Sequence, residues 1–407
     1  MVPRPMAANG RDDHAGLPGL TRLSRYFLGL GTWGFGGPIA TVGYIQRDLV
    51  ERRRWLDRKD FVDGVALGQT MPGPLAAQVV MWVGYLRAGA LGALGASLAF
   101  IMPSLLAVLG IAALYVRYQG LSWVQGLFHG IAPGVMAVVA VAAVKLARLT
   151  NGGDARRWAI SGITLVLTAA TGAEIALVFV AAGLLMVVWD APPRWLRPRP
   201  PSDALAAVPM LGLLGGATGG GLVPLALFFL KAGALIFGSG LAIVPFLREG
   251  VVAEHHWLTE EQFLDAVAMG LITPGPVVIS ATFIGYLVAG LDGAVVATVA
   301  IFLPIYLGVV VPGRWFIRHR DDAWIRAFVA GATAAAAGAI GGAAIILLGQ
   351  ALVNVRAPGT TIPLPGGDAL NVAATAIFAV SLGVLLRFRV PEPAVVAACA
   401  VAGLLLF

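Results

Sequence analysis

Charge is scarce in this sequence. Asp, Glu, Lys and Arg make up 12% of its 407 residues, against roughly a quarter in an ordinary soluble domain. Cysteine is scarcer still: Cys399 stands alone, which rules out a disulfide framework and any multi-thiolate metal site. Three catalytic signatures are missing as well, namely a Gly-x-x-x-x-Gly-Lys-Ser/Thr phosphate loop, a His-Glu-x-x-His helix and a Gly-x-Ser-x-Gly elbow. With the acids mostly in loops and no paired aspartates within an apolar run, a membrane-embedded enzyme is disfavoured, and neither a metal nor an organic cofactor is expected. The first twenty residues carry Arg4, Arg11, Asp12, Asp13 and His14 and lack the apolar core of a cleavable signal, so residues 1–22 read as a cytoplasmic tail.

What fills the chain instead is hydrophobic: 58% of residues, with a mean hydropathy of +0.86. The reading is an all-α polytopic membrane protein whose first partner is the lipid bilayer. The net charge of +7 sits in short loops and tails rather than in a stripe interleaved with exposed aromatics, so no nucleic-acid partner is expected.

A repeat organises these runs. Phe35, Gly36, Trp55, Leu56, Phe61, Asp63 and Gly68 recur 202 positions later as Phe237, Gly238, Trp257, Leu258, Phe263, Asp265 and Gly270. Pro72, Gly73 and Pro74 recur as Pro274, Gly275 and Pro276. After a one-residue deletion the offset becomes 201, pairing Gly84, Tyr85, Gly89, Gly92, Pro103 and Trp123 with Gly285, Tyr286, Gly290, Gly293, Pro304 and Trp324. Duplication of one unit explains an offset held this long.

Thirteen apolar segments are predicted, near 23–46, 62–86, 88–116, 122–146, 156–173, 174–190, 205–224, 225–247, 264–289, 291–313, 324–349, 369–387 and 392–407. They divide as repeat 1 over 23–190, a linker over 191–224 containing one connecting segment, and repeat 2 over 225–407. An even number of segments per half and a single linker segment turn the second half upside down. Loop charge tests this independently, because basic loops favour the cytoplasm. The loop from Arg47 to Asp60 has six basic and four acidic residues, whereas its partner from Arg248 to Gln262 has one basic residue and four glutamates. Equivalent loops therefore fall on opposite faces, and the repeats are expected to have inverted topology.

Four segments carry a breaker at their centre: Gly-Phe-Gly-Gly-Pro at 34–38, Met-Pro-Gly-Pro at 71–74, Gly-Ser-Gly at 238–240 and Thr-Pro-Gly-Pro at 273–276. A helical limb of about 10 residues rises roughly 15 Å, enough to reach the middle of a hydrocarbon core about 30 Å thick. Re-entrant hairpins are the preferred reading, and kinked spanning helices are the alternative. Either way, backbone broken at membrane depth must be buried in protein or line a wet cavity, and discontinuous helices from inverted repeats are the recurrent site of secondary transporters. Half-helix N-termini and glycines suit an anion approaching the backbone.

The candidate substrate-binding residues follow from these breaks. They are Gly36 and Gly37; Gln69, Thr70, Pro72, Gly73, Pro74 and Gln78; Gly238, Ser239 and Gly240; and Thr273, Pro274, Gly275, Pro276, Ser280 and Thr282. Their side-chain donors and nearby N–H groups suit an oxyanion's hydration shell, while hydroxyls near a proline also satisfy freed carbonyls locally. Thr41 belongs with the first break. Charged or titratable groups within apolar stretches form a second set. Lys231 attracts a dianion or snorkels to the interface, and Arg87 reads as an interfacial anchor. Asp63 and Asp265, matched by the repeat, cap their helices, interact with the dipole or carry a coupling proton. His129 makes an interhelical hydrogen bond or relays a proton. Glu174 reads as an interfacial cap.

The Phe-Gly-Gly-Pro at 35–38, the basic loop ending in Trp55 and Leu56, Phe61, the Gly-Gln-Thr-Met-Pro-Gly-Pro at 68–74 and their second copy resemble the chromate ion transporter family. The resemblance spans both halves. It implies a two-domain bacterial inner-membrane transporter that exports chromate and confers chromate resistance, driven by an ion gradient, with protons as the first candidate, and not by ATP. Gly-Ser-Gly at 238–240 replaces the Gly-Gly-Pro of 36–38, so the two copies are not interchangeable. Sulfate or another tetrahedral oxyanion is the rival substrate, a passive anion channel is the rival class, and a homodimer stays open.

Overall fold

The computed structural model describes residues 18–34, 37–118, 121–171, 176–191, 221–235, 243–313, 315, 322–353, 361–363, 369–388 and 390–407. Almost all of them are helical. The first half comprises α1 (Leu20–Trp33), α2 (Gly37–Ile45) running into a π-helical turn (Gln46–Arg52), α3 (Arg58–Thr70), α4 (Leu75–Tyr118), α5 (Ser122–Asn151), α6 (Ala155–Thr171) and α7 (Ala176–Asp190). The second comprises α8 (Leu222–Leu235), α9 (Ile243–Arg248) with its own π-helical turn (Glu249–Glu254), α10 (Glu260–Ile272), α11 (Ser280–Val310) and α12 (Ala323–Leu352). A two-stranded antiparallel ribbon follows, β1 (Thr361–Pro363) and β2 (Ala369–Asn371), then α13 (Val372–Arg387) and α14 (Glu392–Leu406). The linker segment expected at 205–224 falls almost wholly outside the described residues.

The sequence repeat is a conformational repeat. α4 kinks at Ala88 (φ −146°, ψ 30°) and Gly89 (φ 61°, ψ −145°), and α11 kinks at Ala289 (φ −146°, ψ 33°) and Gly290 (φ 60°, ψ −146°). Positive φ at these matched glycines is what lets one long apolar run turn into two differently directed helices. Below each kink the limbs cross at the closest spacing a helix pair allows: a Cβ on Gly84 would strike the carbonyl oxygen of Gly92, and one on Gly285 that of Gly293. The loops match too. Trp55 and Leu56 both donate their backbone N–H to the Leu49 carbonyl at 2.8 and 3.2 Å, and Trp257 and Leu258 donate to Val251 at 2.8 and 3.3 Å.

α3 and the first limb of α4 double back on each other. Trp82 Nε1 donates to the Asp60 carbonyl at 2.9 Å, and a Cβ on Gly68 would lie 2.8 Å from Leu75 Cδ1 and 3.4 Å from Gln78 Oε1. Contacts running in reverse order along the two limbs make this segment a helical hairpin tipped by its Pro-Gly-Pro, not a kinked rod. α1 and the α2 turn behave likewise, since Tyr26 Oη reaches Asp48 Oδ2 at 3.4 Å across the break. α1, α3, α8 and α10 have 13 or 14 residues each. At 1.5 Å per residue each rises about 20 Å, short of the ~30 Å needed to cross.

Among the described residues, four helices are long and apolar enough to span: Leu75–Tyr118, Trp123–Asn151, Val277–Val310 and Ala323–Leu352. The second limb of each kinked helix presents an apolar stripe every four residues, Leu94, Leu98, Met102 and Leu106 in α4 and Val295, Val299, Leu303 and Leu307 in α11, all exposed. Exposed ladders of large apolar side chains are lipid-facing surface. The chain is a multi-pass membrane protein.

The halves are not self-contained. α12 of the second half packs on α6 and α7 of the first, while α5 of the first packs on α13 and α14 of the second. Glycines set these contacts: a Cβ on Gly130 would strike the Cys399 carbonyl of α14, and one on the matched Gly331 the Ala182 carbonyl of α7. Small residues allow such close approach where hydrophobic burial gives helices no preference for each other over lipid.

Candidate functional site

Each Pro-Gly-Pro turn lies against the kinked helix of the opposite half. Gly73 has φ +140° and Gly275 φ +113°. A Cβ on Gly73 would come within 2.8 Å of Ile305 Cγ2 in α11, and one on Gly275 would strike Ser104 Oγ in α4. Ser104 and Ile305 hold matched positions, each just after the proline inside its helix, Pro103 and Pro304. α4 and α11 also pack on each other, and Tyr306 Oη donates to the Ala90 carbonyl at 2.9 Å. The two turns therefore clasp one pair of broken helices from opposite halves.

Polar groups are buried here. Gln78 is fully buried and donates through Nε2 to the carbonyls of Pro72 (2.9 Å) and Met71 (3.3 Å). Among the described residues its Oε1 has no protein partner, and neither does Ser104 Oγ, also fully buried. An unpartnered buried polar atom costs about 1–3 kcal/mol, a cost that a hydrated or ligand-lined turn offsets. Ser280 is buried beside Gly270, its Cβ 3.1 Å from where a Gly270 Cβ would stand. Two expected contacts are spent within the protein: Thr273 Oγ1 donates to the Met269 carbonyl at 2.7 Å, and the Thr282 hydroxyl lies 2.7 Å from that of Thr298. Gln69 is exposed, and Thr41 is buried. Gly37 opens α2. Gly36, Gly238, Ser239, Gly240 and Glu174, with the side chain of Thr70, lie outside the described residues.

Helix capping by the matched aspartates does not occur. α10 starts at Glu260 and is capped by Thr259, whose Oγ1 accepts from Gln262 N at 3.2 Å while Gln262 Oε1 accepts from Thr259 N at 3.1 Å. Asp265 sits in the second turn, 4% exposed, and accepts from Tyr115 Oη at 2.8 Å. Asp63 is equally buried in the second turn of α3. Asp265 and Tyr115 line a cavity of about 260 Å³ with Gln125, Phe128, Glu261 and Gln262. Beside it, His129 Nε2 of α5 stands 3.2 Å from Glu261 Oε1 of α10.

Lys231 is half-buried with Nζ 5.6 Å from the Phe246 ring centroid. Arg87 donates from Nε to the Pro18 carbonyl at 2.8 Å, an anchor for the segment before α1. Among the described residues, no group of three or more His, Cys, Asp or Glu side chains is placed to hold a metal ion.

The residues that sequence reasoning missed are those where one copy departs from the other. Ser104 answers to Ile305, Tyr115 to Phe316 and Glu261 to Lys59. A polar residue in one copy opposite an apolar or oppositely charged one in the other was the available signal.

A family model for chromate transporters matches residues 21–188 and 223–404, one match per half. The chain belongs to the chromate transporter family. It is 45% identical over 393 residues to the chromate transport protein of Cupriavidus metallidurans, covering 95% of this chain and 93% of the relative. It is 41% identical over 389 residues to the probable chromate transport protein of Synechococcus elongatus, covering 95% of each. A chromate transport protein of Pseudomonas aeruginosa is 30% identical over 352 residues, 84% of this chain and 83% of the relative. These relatives are named as transport proteins, not as enzymes. No solved structure gives a significant match.

Proposed function

We propose that the protein is a secondary active transporter that exports chromate across the bacterial inner membrane, by alternating access at an anion site between two inverted repeats, and so confers chromate resistance. The observation that carries this reading is the clasp: two geometrically matched Pro-Gly-Pro turns, each lodged on the other half's broken helix. An anion held there meets backbone N–H groups, the Ser104 hydroxyl and the glycines of the turns, and rocking of one half against the other changes which face reaches it. The relatives' printed substrate favours chromate over sulfate, whose size, shape and charge are nearly the same.

Inversion is supported by loop charge. The π-helical turn of the first half is part of a basic loop and that of the second part of an acidic one, as expected if matched loops face opposite sides of the membrane. The short limbs of α1, α3, α8 and α10 suit hairpins that enter and leave on one side.

Proton coupling is assigned to the Asp265 cavity. Asp265 is an intramembrane carboxylate with a tyrosine hydroxyl donor, a lined cavity and a His129–Glu261 pair beside it, an arrangement suited to taking up and passing a proton. Tyr115 of α4 faces it, and beside it stand His129 of α5 and, one turn earlier on its own helix, Glu261. Lys231 lies where it can raise the local concentration of a dianion.

Everted membrane vesicles test the function. Energised vesicles should accumulate radiolabelled chromate, lose the accumulated label on addition of a protonophore, and take up less when sulfate is in excess. Absence of energy-dependent chromate uptake would overturn the substrate, and equilibration without accumulation would make the protein a channel.

A further inference from the structure

A second cavity, of about 450 Å³, opens between the limbs of the first hairpin. It is lined by Arg25 and Tyr26 of α1, by Tyr44, Arg47 and Asp48 of α2 and its π-helical turn, and by Arg53, and it reaches Gly34 at the hairpin's break. Three arginines and one carboxylate line it. Arg47 Nε donates to Asp48 Oδ1 at 3.0 Å, and Tyr26 Oη reaches Asp48 Oδ2. Arg53 lies against two aromatic rings, its Cζ 5.1 Å from the Tyr26 centroid and 4.6 Å from that of Trp55. Among the described residues, neither Arg25 nor Arg53 has a carboxylate within 4 Å. A guanidinium held by cation–π contacts rather than by a carboxylate keeps its N–H donors for an oxyanion.

The other copy of this hairpin shows what the same backbone does without that task. At the matched positions stand Leu227, Phe228, Phe246, Glu249, Gly250 and His255. Phe228 stacks on Phe246 at 5.5 Å and 13° and meets Trp257 edge-on at 5.7 Å, and its ring occupies the place a Cβ on Gly250 would take. Aromatic rings fill the space that arginines line in the first half. A hairpin that needs only to pack is therefore packed in one copy and left open and basic in the other.

We infer that the cavity between α1 and the α2 turn is a vestibule that binds a tetrahedral oxyanion group through Arg25, Arg47 and Arg53 before it reaches the Gly34 break. This deepens the proposed function and rests on it for the identity of the cargo. A surplus of two positive charges in a concave, partly walled site concentrates dianions and speeds their capture, in proportion to how little salt screens them. The same oxygens could belong to a free oxyanion or to a lipid phosphate headgroup.

Two measurements on the full-length protein test the vestibule. The first is calorimetric titration of chromate, and separately of sulfate, into wild type and R25Q/R47Q/R53Q in an uncharged detergent. Removing the three charges should weaken binding of the free anion about tenfold and flatten its dependence on ionic strength. R25K/R47K/R53K, which keeps the charge, should keep the salt dependence, and thermal melts of all three proteins check that they are folded. The second is initial transport rates in proteoliposomes of phosphatidylcholine with and without phosphatidylglycerol. A KM raised about tenfold in both lipid compositions, with Vmax within twofold, supports capture of the free oxyanion. A change seen only with phosphatidylglycerol assigns the site to lipid headgroups and overturns the vestibule. Folded glutamine variants with wild-type affinity also overturn it, whereas wild type that binds oxyanion in the vestibule but fails to move chromate contradicts the transport reading alone.

Discussion

Gly275→Ala is expected to reduce chromate transport by at least tenfold, and Gly73→Ala to do nearly as much. Both glycines have φ in the region that L-residues rarely adopt, where a side chain costs about 1–3 kcal/mol. Both also sit against the opposite half: an added Cβ would strike Ser104 Oγ at Gly275, and would come 2.8 Å from Ile305 Cγ2 and 2.9 Å from Gln78 Nε2 at Gly73. Overpacking adds about 1–3 kcal/mol. Together these come to about 2–6 kcal/mol, above the roughly 1.4 kcal/mol that corresponds to a tenfold difference in rate. Gly89→Ala is the control, because Gly89 also has positive φ but open space around it, so it bears the strain without the collision and should lose much less. Pairing Gly275→Ala with Ser104→Gly removes the collision and should recover part of the lost rate. Gly275→Ala transporting within twofold of wild type, at matched expression, would remove the Pro-Gly-Pro clasp from the mechanism.

Asp265→Asn is the second large effect. The amide is nearly isosteric and can still accept from Tyr115 Oη, so packing should hold, but it cannot exchange a proton. Gradient-driven accumulation of chromate should collapse to the level reached without a gradient, while exchange of internal for external chromate continues. Tyr115→Phe removes only the hydrogen bond at 2.8 Å, worth about 1.5–3 kcal/mol when one partner is charged, and should give an intermediate loss. Asp63→Asn should matter less, since the residues matched by the repeat to Tyr115, His129 and Glu261 are Phe316, Ala330 and Lys59. Accumulation by Asp265→Asn at wild-type level would place the coupling elsewhere.

Much of this fold was legible because the chain states its unit twice. Matched glycines and prolines located the tips at 72–74 and 274–276, and the expected segment boundaries near 87 and 290 fall at the Gly89 and Gly290 kinks, since positive φ and missing N–H groups leave few other residues able to serve there. The exchange of α5 and α12 between halves was not legible. Apolar helix faces of Ala, Val, Ile and Gly carry little information about which neighbour they meet, and only the close Gly130–Cys399 and Gly331–Ala182 approaches reveal it. Within the site, polarity alone does not tell a donor's partner. Thr273 and Thr282 have their hydroxyls engaged by Met269 and Thr298, which sequence cannot distinguish from donors left for a substrate. Polarity also undercounted, because Ser104 and Tyr115 sit in long apolar runs and gain meaning only from what the fold brings opposite them. The aspartates looked like caps because their helices were placed to start nearer to them, and the Thr259–Gln262 box fixes the true start of α10.

Inversion of the two repeats is the claim on which the alternating-access reading depends. It is tested most directly by single-cysteine labelling in a Cys399→Ala background, with cysteine at Arg52 in one protein and at Glu254 in another. Both positions are exposed and both end their π-helical turns, so they report the same point of the repeat. A membrane-impermeant maleimide should label the Arg52→Cys protein only in everted vesicles and the Glu254→Cys protein only in right-side-out ones. Labelling of both from the same side would contradict the inverted architecture.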